Sequence, residues 1–275
     1  MKVNYFHNQG TTEFSEDGLI IGNPNFLGVT DGMSAVYLPQ KGPKMFHGMT
    51  GGQLASNIVM REFSQIRVSG LAESLERANA KLAVILIDRG YDLTDSAVLP
   101  GTCFAVAHLR EKEIDIIQAE DCLAVWETKN GKKSGTRNQA FECEKSLRAK
   151  IAELMRKHER NKEKMWQEFL PILVEARRKS VNKEFAVLNG QQDFEEHWQR
   201  IVLNTEELKT MILFTDGFVD FCWTENPEDL AKRLIGYYKV SGLWGILEET
   251  REANIANRFS SHEVFPEATA LSIEF

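Results

Sequence analysis

At 275 residues the chain is long enough for one large domain or two small ones, and either would bury a substantial core. A composition of 43% hydrophobic and 27% charged residues is that of an ordinary globular protein. The formal net charge of -7 excludes an extended nucleic-acid surface, which needs a basic excess, but leaves anionic substrates open because bound metals supply positive charge locally.

Met1 to Gly10 contains no apolar core flanked by basic residues, and no run of about 18 apolar residues exists for a membrane span. The reading is a cytoplasmic protein with neither a membrane nor a nucleic-acid partner. Its four cysteines (Cys103, Cys122, Cys143, Cys222) lack CxxC spacing, so buried reduced thiols are expected.

The chain opens with strand-like runs: VNYFHN, GLIIG, and NFLGVTDG, the last read as a buried strand ending at a turn. Two helices follow. Leu54, Ala55, Ile58, Val59 and Phe63 form one apolar face, and Leu71, Leu75, Ala78, Leu82, Ile85 and Leu86 form a clearer one. Consecutive helices after a group of strands predict a helical layer packed on a sheet.

GTCFAVAHLR, EKEIDIIQAED and CLAVWETKNGK then read as an antiparallel meander. Residues 141–183 are helix-rich and highly charged, and Pro171 is expected to break or kink them. The basic cluster there (Arg156, Lys157, Arg160, Lys162, Lys164) reads as a solvated helix face in preference to a partner surface. EFAVLNG and TMILFTDG read as strands, NPEDLAKRL and GILEETREAN as helices, and ATALSIEF as a closing strand. Asn226 before Pro227 predicts a helix cap. With no repeat, linker or low-complexity tract, the expectation is a single domain over 1–275 carrying a helical insertion at about 141–183.

Two Asp-Gly pairs, Asp31-Gly32 and Asp216-Gly217, each close an apolar strand-like run, and SED at Ser15 to Asp17 adds two more carboxylates. Acids at strand ends (Glu16, Asp17, Asp31, Asp121, Asp216) suit hard cations such as Mg²⁺ or Mn²⁺, which take oxygen ligands. Two such ions can acidify a water and aim it at phosphorus.

The order and surroundings of these acids resemble the protein phosphatase 2C family of metal-dependent Ser/Thr phosphatases, over almost the whole chain. SED looks like the family's NED element, GVTDGMS like its V-x-D-G-[HM]-G segment, and GTCFAVAHL like its G-[ST]-T-x strand. AEDCLAVW is similar to the V-G-D-S-R strand, FTDGFVD to S/T-D-G-x-x-D, and PEATALSI to the D-[DN]-x-T strand.

The resemblance implies an α+β fold, a four-layer αββα sandwich of two antiparallel sheets flanked by helices. It implies two Mn²⁺ or Mg²⁺ ions, or three as in some bacterial members, with a bridging hydroxide that attacks a phosphomonoester, typically on a phosphoprotein, without a phosphoenzyme. Asp31 would bridge both ions, the Gly32 carbonyl and Asp216 would bind one, and Glu16, with Asp17 beside it, the other. Asp121 matches an aspartate that serves a third ion in some bacterial members.

Three positions depart from the family pattern. Thr12 stands where members carry a phosphate-holding arginine. Pro266 stands where a metal-binding aspartate belongs, with Glu267 beside it as a candidate substitute ligand. Met33, in place of histidine, fits bacterial members. Thr12 and Pro266 motivate the alternative of a catalytically impaired binding module. His262 reads as a partly exposed loop histidine in preference to a proton donor or phosphate contact. A haloacid-dehalogenase reading of FTDG lacks the first Asp of the DxDG motif, since Phe214 occupies it.

Overall fold

Strands that bury both faces must be apolar almost throughout, and the central strands here obey that rule. The computed structural model describes residues 1–22, 25–37, 41–65, 70–159, 161–219, 224–256 and 265–275. Arg160, Asp220, Cys222 and His262 lie outside the described residues. The elements run β1 (Lys2–Asn8), β2 (Gly18–Ile21), β3 (Phe26–Met33), α1 (Gly51–Ser64), α2 (Leu71–Asp88), β4 (Gly101–Leu109), β5 (Glu113–Ala119), β6 (Leu123–Thr128) and β7 (Lys133–Gly135). After these come α3 (Phe141–Lys157), α4 (Lys162–Ser180), β8 (Gln199–Asn204), β9 (Leu208–Phe214), α5 (Pro227–Ala256) and β10 (Ala268–Glu274).

Two antiparallel five-stranded sheets form, ordered β1-β10-β9-β6-β7 and β2-β3-β4-β5-β8. Alternation sorts each strand's side chains into two cores. On β4, Cys103, Ala105 and Ala107 face the other sheet, whereas Phe104 and Val106 face α1 and α2. On β9, Met211 and Leu213 enter the space between sheets, and Ile212 and Phe214 meet α5. The layers are therefore α5, sheet, sheet, then α1 with α2: the αββα sandwich expected from the resemblance.

Four local readings need correction. The third strand does not end in a turn at Asp31-Gly32, because β3 continues to Met33 and pairs Asp31 with Cys103 and Gly32 with Thr102. Gly32 is needed for close packing instead, since a Cβ there would lie 2.6 Å from the backbone of Gly52. The three middle runs are not one meander: β5 pairs with β4 and β8, but β6 joins the other sheet beside β9 and β7. The chain changes sheets at Glu120, which has φ 57°.

Pro171 neither breaks nor ends α4. Pro171 and Gln167 are both exposed, so the carbonyl that loses its helical partner faces water. EFAVLNG forms no strand, only isolated bridges of Phe185 to Val181 and of Leu188 to Thr102, because Asn182 Oδ1 and Asn79 Oδ1 capture the Val187 and Gly190 amides. The Asn226 cap does form, accepting from the Glu228 and Asp229 amides at 2.9 and 3.1 Å.

Candidate metal centre

The candidate site lies at one end of the sandwich, where four chain segments deliver carboxylates. β3 carries Asp31 on a strand pinned on both sides, and Thr102 Oγ1 donates to its carbonyl at 2.8 Å. The corner between β5 and β6 carries Glu120 and Asp121. A non-glycine residue at positive φ costs about 1–3 kcal/mol and persists only where its surroundings hold it. Here Gln118 Nε2 and the Gln139 amide both donate to the Glu120 carbonyl. The resulting corner turns Glu120 and Asp121, neighbours in sequence, into the same cavity.

The third segment is the loop Ser15–Asp17 before β2. Glu16 Oε1 accepts from Ser34 Oγ at 2.6 Å and from Thr50 Oγ1. Thr50 is also the N-cap of α1, in a reciprocal capping box with Gln53. The cap that starts the helix therefore also aims Glu16. Asp17 is buried and its Oδ2 accepts from Thr215 Oγ1 at 2.8 Å. Thr215 accepts in turn from the Thr269 amide, which ties β9 and β10 to this carboxylate.

Asp216 opens a short 3-10 turn, Asp216–Phe218, at the end of β9. Gly217 lets this turn close against β10, since a Cβ would sit 1.8 Å from the Glu267 carbonyl oxygen.

A cavity of about 360 Å³ is lined by Glu16, Asp31, Gly32, Glu120, Asp121 and Arg177, among others. Asp17 and Asp216 do not line it, but both repel the charge on Asp31, and Asp216 repels that on Asp121. Burial, followed by repulsion from Asp17 and Asp216, pushes Asp31 well above the usual carboxylate range. Asp17 is pushed up to about 8, chiefly by burial, against the lowering effect of Thr215 and Thr269. Burial likewise raises Glu120 to about 7, with Glu144 adding to it, and lifts Asp121 and Glu16.

Glu267 is placed differently from the other sequence candidates. Its Oε2 accepts from the amides of Glu16 and Asp17 at 2.6 and 2.7 Å and lies 3.2 Å from Ser15 Oγ. That carboxylate holds the backbone turn presenting Glu16 and Asp17. Thr12 Oγ1, 3.3 Å from Glu267 Oε1, joins the same network. Met33 packs against the core between the sheets.

Sequence reasoning missed Glu120, Cys103 and Arg177. Cys103 Sγ donates to Glu120 Oε2, and the ligand atoms of Cys103, Glu120 and Asp121 all lie within 4.8 Å of one another. The only signal for Glu120 was its place beside Asp121; nothing in the sequence marked Arg177 among the many basic residues of α4.

These residues fit divalent cations. Among the described residues no lysine or arginine forms an ion pair with Asp17, Asp31, Glu120 or Asp121, and Asp121 Oδ1 is buried without a hydrogen-bond partner. A cluster of buried carboxylates that repel one another without an ion-paired cation is stabilised by a hard dication with oxygen ligands. A cavity of about 1020 Å³ lies elsewhere, between β1 and the break in α5 at Gly242, and gathers no such carboxylates.

The chain shares its αββα fold with bacterial serine/threonine phosphatases of known structure. The Mycobacterium tuberculosis serine/threonine phosphatase PstP superposes with a TM-score of 0.59 at 11% identity, over 100% of this chain and 98% of that one. The PstP catalytic domain in complex with two manganese ions gives 0.54 at 10% identity, over 98% and 96%. PppA of Pseudomonas aeruginosa, a regulatory component of T6SS, gives 0.53 at 12% identity, over 100% and 97%. No protein-family model and no curated protein matches the chain.

Proposed function

We propose that this chain is a metal-dependent phosphomonoester hydrolase, a protein serine/threonine phosphatase, acting as one catalytic domain in which α3 and α4 are an insertion. The observation that carries this reading is the acidic end of the sandwich, where Asp31 meets repulsion from Asp17, Asp216 and Glu120 with no cation paired to it among the described residues. The shared fold with PstP, solved with two manganese ions, supports it.

Asp31, Asp216, Asp17 and the Gly32 carbonyl would hold two Mn²⁺ or Mg²⁺ ions together with Glu16, and Asp121 with Glu120 would hold a third. When bound, such ions neutralise phosphoryl oxygens and acidify a water for attack on phosphorus. The chain's own contribution is positional. Thr215 fixes one Asp17 oxygen, and Ser34 and Thr50 fix Glu16. Glu267 acts through the backbone, holding the Ser15–Asp17 turn at the angle that aims both acids. The strands keep these groups in place before substrate arrives, which is where most catalysis of phosphoryl transfer originates.

The second reading, a catalytically impaired binding module, draws on Glu267, whose carboxylate is occupied by the 16–17 amides. Activity separates the two. The purified protein is expected to hydrolyse p-nitrophenyl phosphate and phosphothreonine peptides with Mn²⁺ and to lose that activity in EDTA. Mn²⁺ binding without turnover on either substrate would favour the binding module.

A further inference from the structure

The last turns of α4 reach into the wall of the acidic cavity. Arg177 Nη1 donates to the Ser34 carbonyl at 2.9 Å, just beyond the end of β3. Among the described residues this is the only side-chain hydrogen bond of Arg177, and no carboxylate forms an ion pair with it. A guanidinium carries five N–H donors, so most of its capacity is unused.

The position of Arg177 is built. Its carbonyl accepts from Ser96 Oγ at 3.0 Å, and its neighbour Arg178 clasps Asp95 through two bonds of 2.9 and 2.7 Å. Those contacts fasten the end of α4 to the loop before β4 and fix where Arg177 points. The side chain lines the acidic cavity and also an adjoining one of about 460 Å³, whose walls include Thr12, Phe14, Trp166 and Leu173. Trp166, Leu173 and Arg177 recur on one face of α4, so the helix forms one side of that second cavity.

We propose that Arg177 is the phosphate-holding residue of this site and that α4 forms a wall of the substrate groove. This rests on the phosphatase reading above. A dianionic phosphoryl group beside the acidic cavity needs a cation with forked donors on the side away from the carboxylates, and a guanidinium matches it in geometry as well as charge. Thr12, across the second cavity, offers only a hydroxyl, 2.9 Å from the Gln9 carbonyl. Burial pulls the Arg177 guanidinium below its ordinary value, and Glu120 and Glu16 oppose that fall; an arginine side chain is not deprotonated in proteins.

The test uses full-length Arg177→Met and Arg177→Lys, with Lys179→Ala, an exposed neighbour paired only with Glu175 on the same helix, as a control. Inorganic phosphate binding to the Mn²⁺-loaded proteins is measured by calorimetry, beside the Kd for Mn²⁺, the Tm and the kcat and KM for p-nitrophenyl phosphate. Arg177→Met should weaken phosphate binding and raise KM by about 10- to 100-fold, the loss expected for a hydrogen bond to a charged group. Mn²⁺ affinity should hold, Arg177→Lys should restore part of the loss, and Lys179→Ala should match wild type. Phosphate affinity within twofold of wild type in Arg177→Met would overturn the proposal, as would a parallel collapse of Mn²⁺ affinity, which marks a structural role. A wild-type protein that binds no Mn²⁺ would instead defeat the phosphatase reading itself, and this proposal with it.

Discussion

The sandwich and the α3–α4 pair are held together in different ways. Between the sheets and beneath their helices, dozens of side chains such as Val29, Phe104, Ile116, Leu213 and Leu271 are fully buried. The helix pair has a small core of its own, in which Leu154, Met165 and Phe169 are the buried members among the described residues. Its surface is charged, and the basic cluster pairs locally, as Lys157 does with Glu168 at 2.6 Å. The difference assigns the two halves of the chemistry. Groups that must not move are carried by paired strands, whereas the groove wall and Arg177 come from a lightly packed helix anchored mainly at its end. Changes in the first region should act as all-or-none effects, and changes in the second as graded ones.

The sharpest way to break that comparison is to neutralise an acid on a strand. Asp31→Asn should lower kcat for p-nitrophenyl phosphate by about 10³-fold while the protein stays folded, the scale of removing a preorganised electrostatic group. Loss confined to KM would contradict the assignment. Core truncation comes next: Phe104→Ala should cost about 3–5 kcal/mol of global stability in urea unfolding. Phe169→Ala should cost less globally and should speed amide exchange in α3 and α4 selectively, as expected of a locally unfolding unit. Equal protection across the two regions would erase the distinction.

A smaller effect is expected behind the carboxylates. Thr215→Val removes the donor to Asp17 Oδ2 and should weaken Mn²⁺ binding by about 10-fold or more, the range for groups that orient metal ligands. A pH dependence probes the same carboxylate without its metal. Asp17 is pushed up to about 8, so in the metal-free fold it keeps a proton that the unfolded chain releases near its ordinary value of 3.8. Stability in EDTA should therefore fall as pH rises from about 4 through about 8, and saturating Mn²⁺ should flatten the slope. A Tm in EDTA that rises across that interval would oppose the picture of uncompensated buried acids.

Much of the sandwich was legible because both-faces-buried strands write themselves as apolar runs, and the Asp-Gly pairs marked two of the acids. What escaped followed from particular residues. The change of sheet turns on Glu120, whose positive φ has no glycine to announce it, so three runs looked like one meander. Gly32 looked like a turn residue, yet serves the approach of α1 to β3. Glu267 was read for the length of its side chain, whereas the free amides of Glu16 and Asp17 decide where its carboxylate goes. Arg177 was hidden because helical periodicity marks apolar faces and says nothing about which basic residue meets a cavity. β8 alternates partly buried and exposed residues over a short stretch, too weak a pattern to stand out.

The central claim is that carboxylates from β3, the loop before β2 and the end of β9 share divalent cations. Anomalous diffraction from crystals of the full chain soaked in Mn²⁺ tests it most directly. The account predicts two strong peaks within coordination distance of Asp31, one of them also contacting Asp216. Peaks only at surface acids, with none at Asp31, would contradict it.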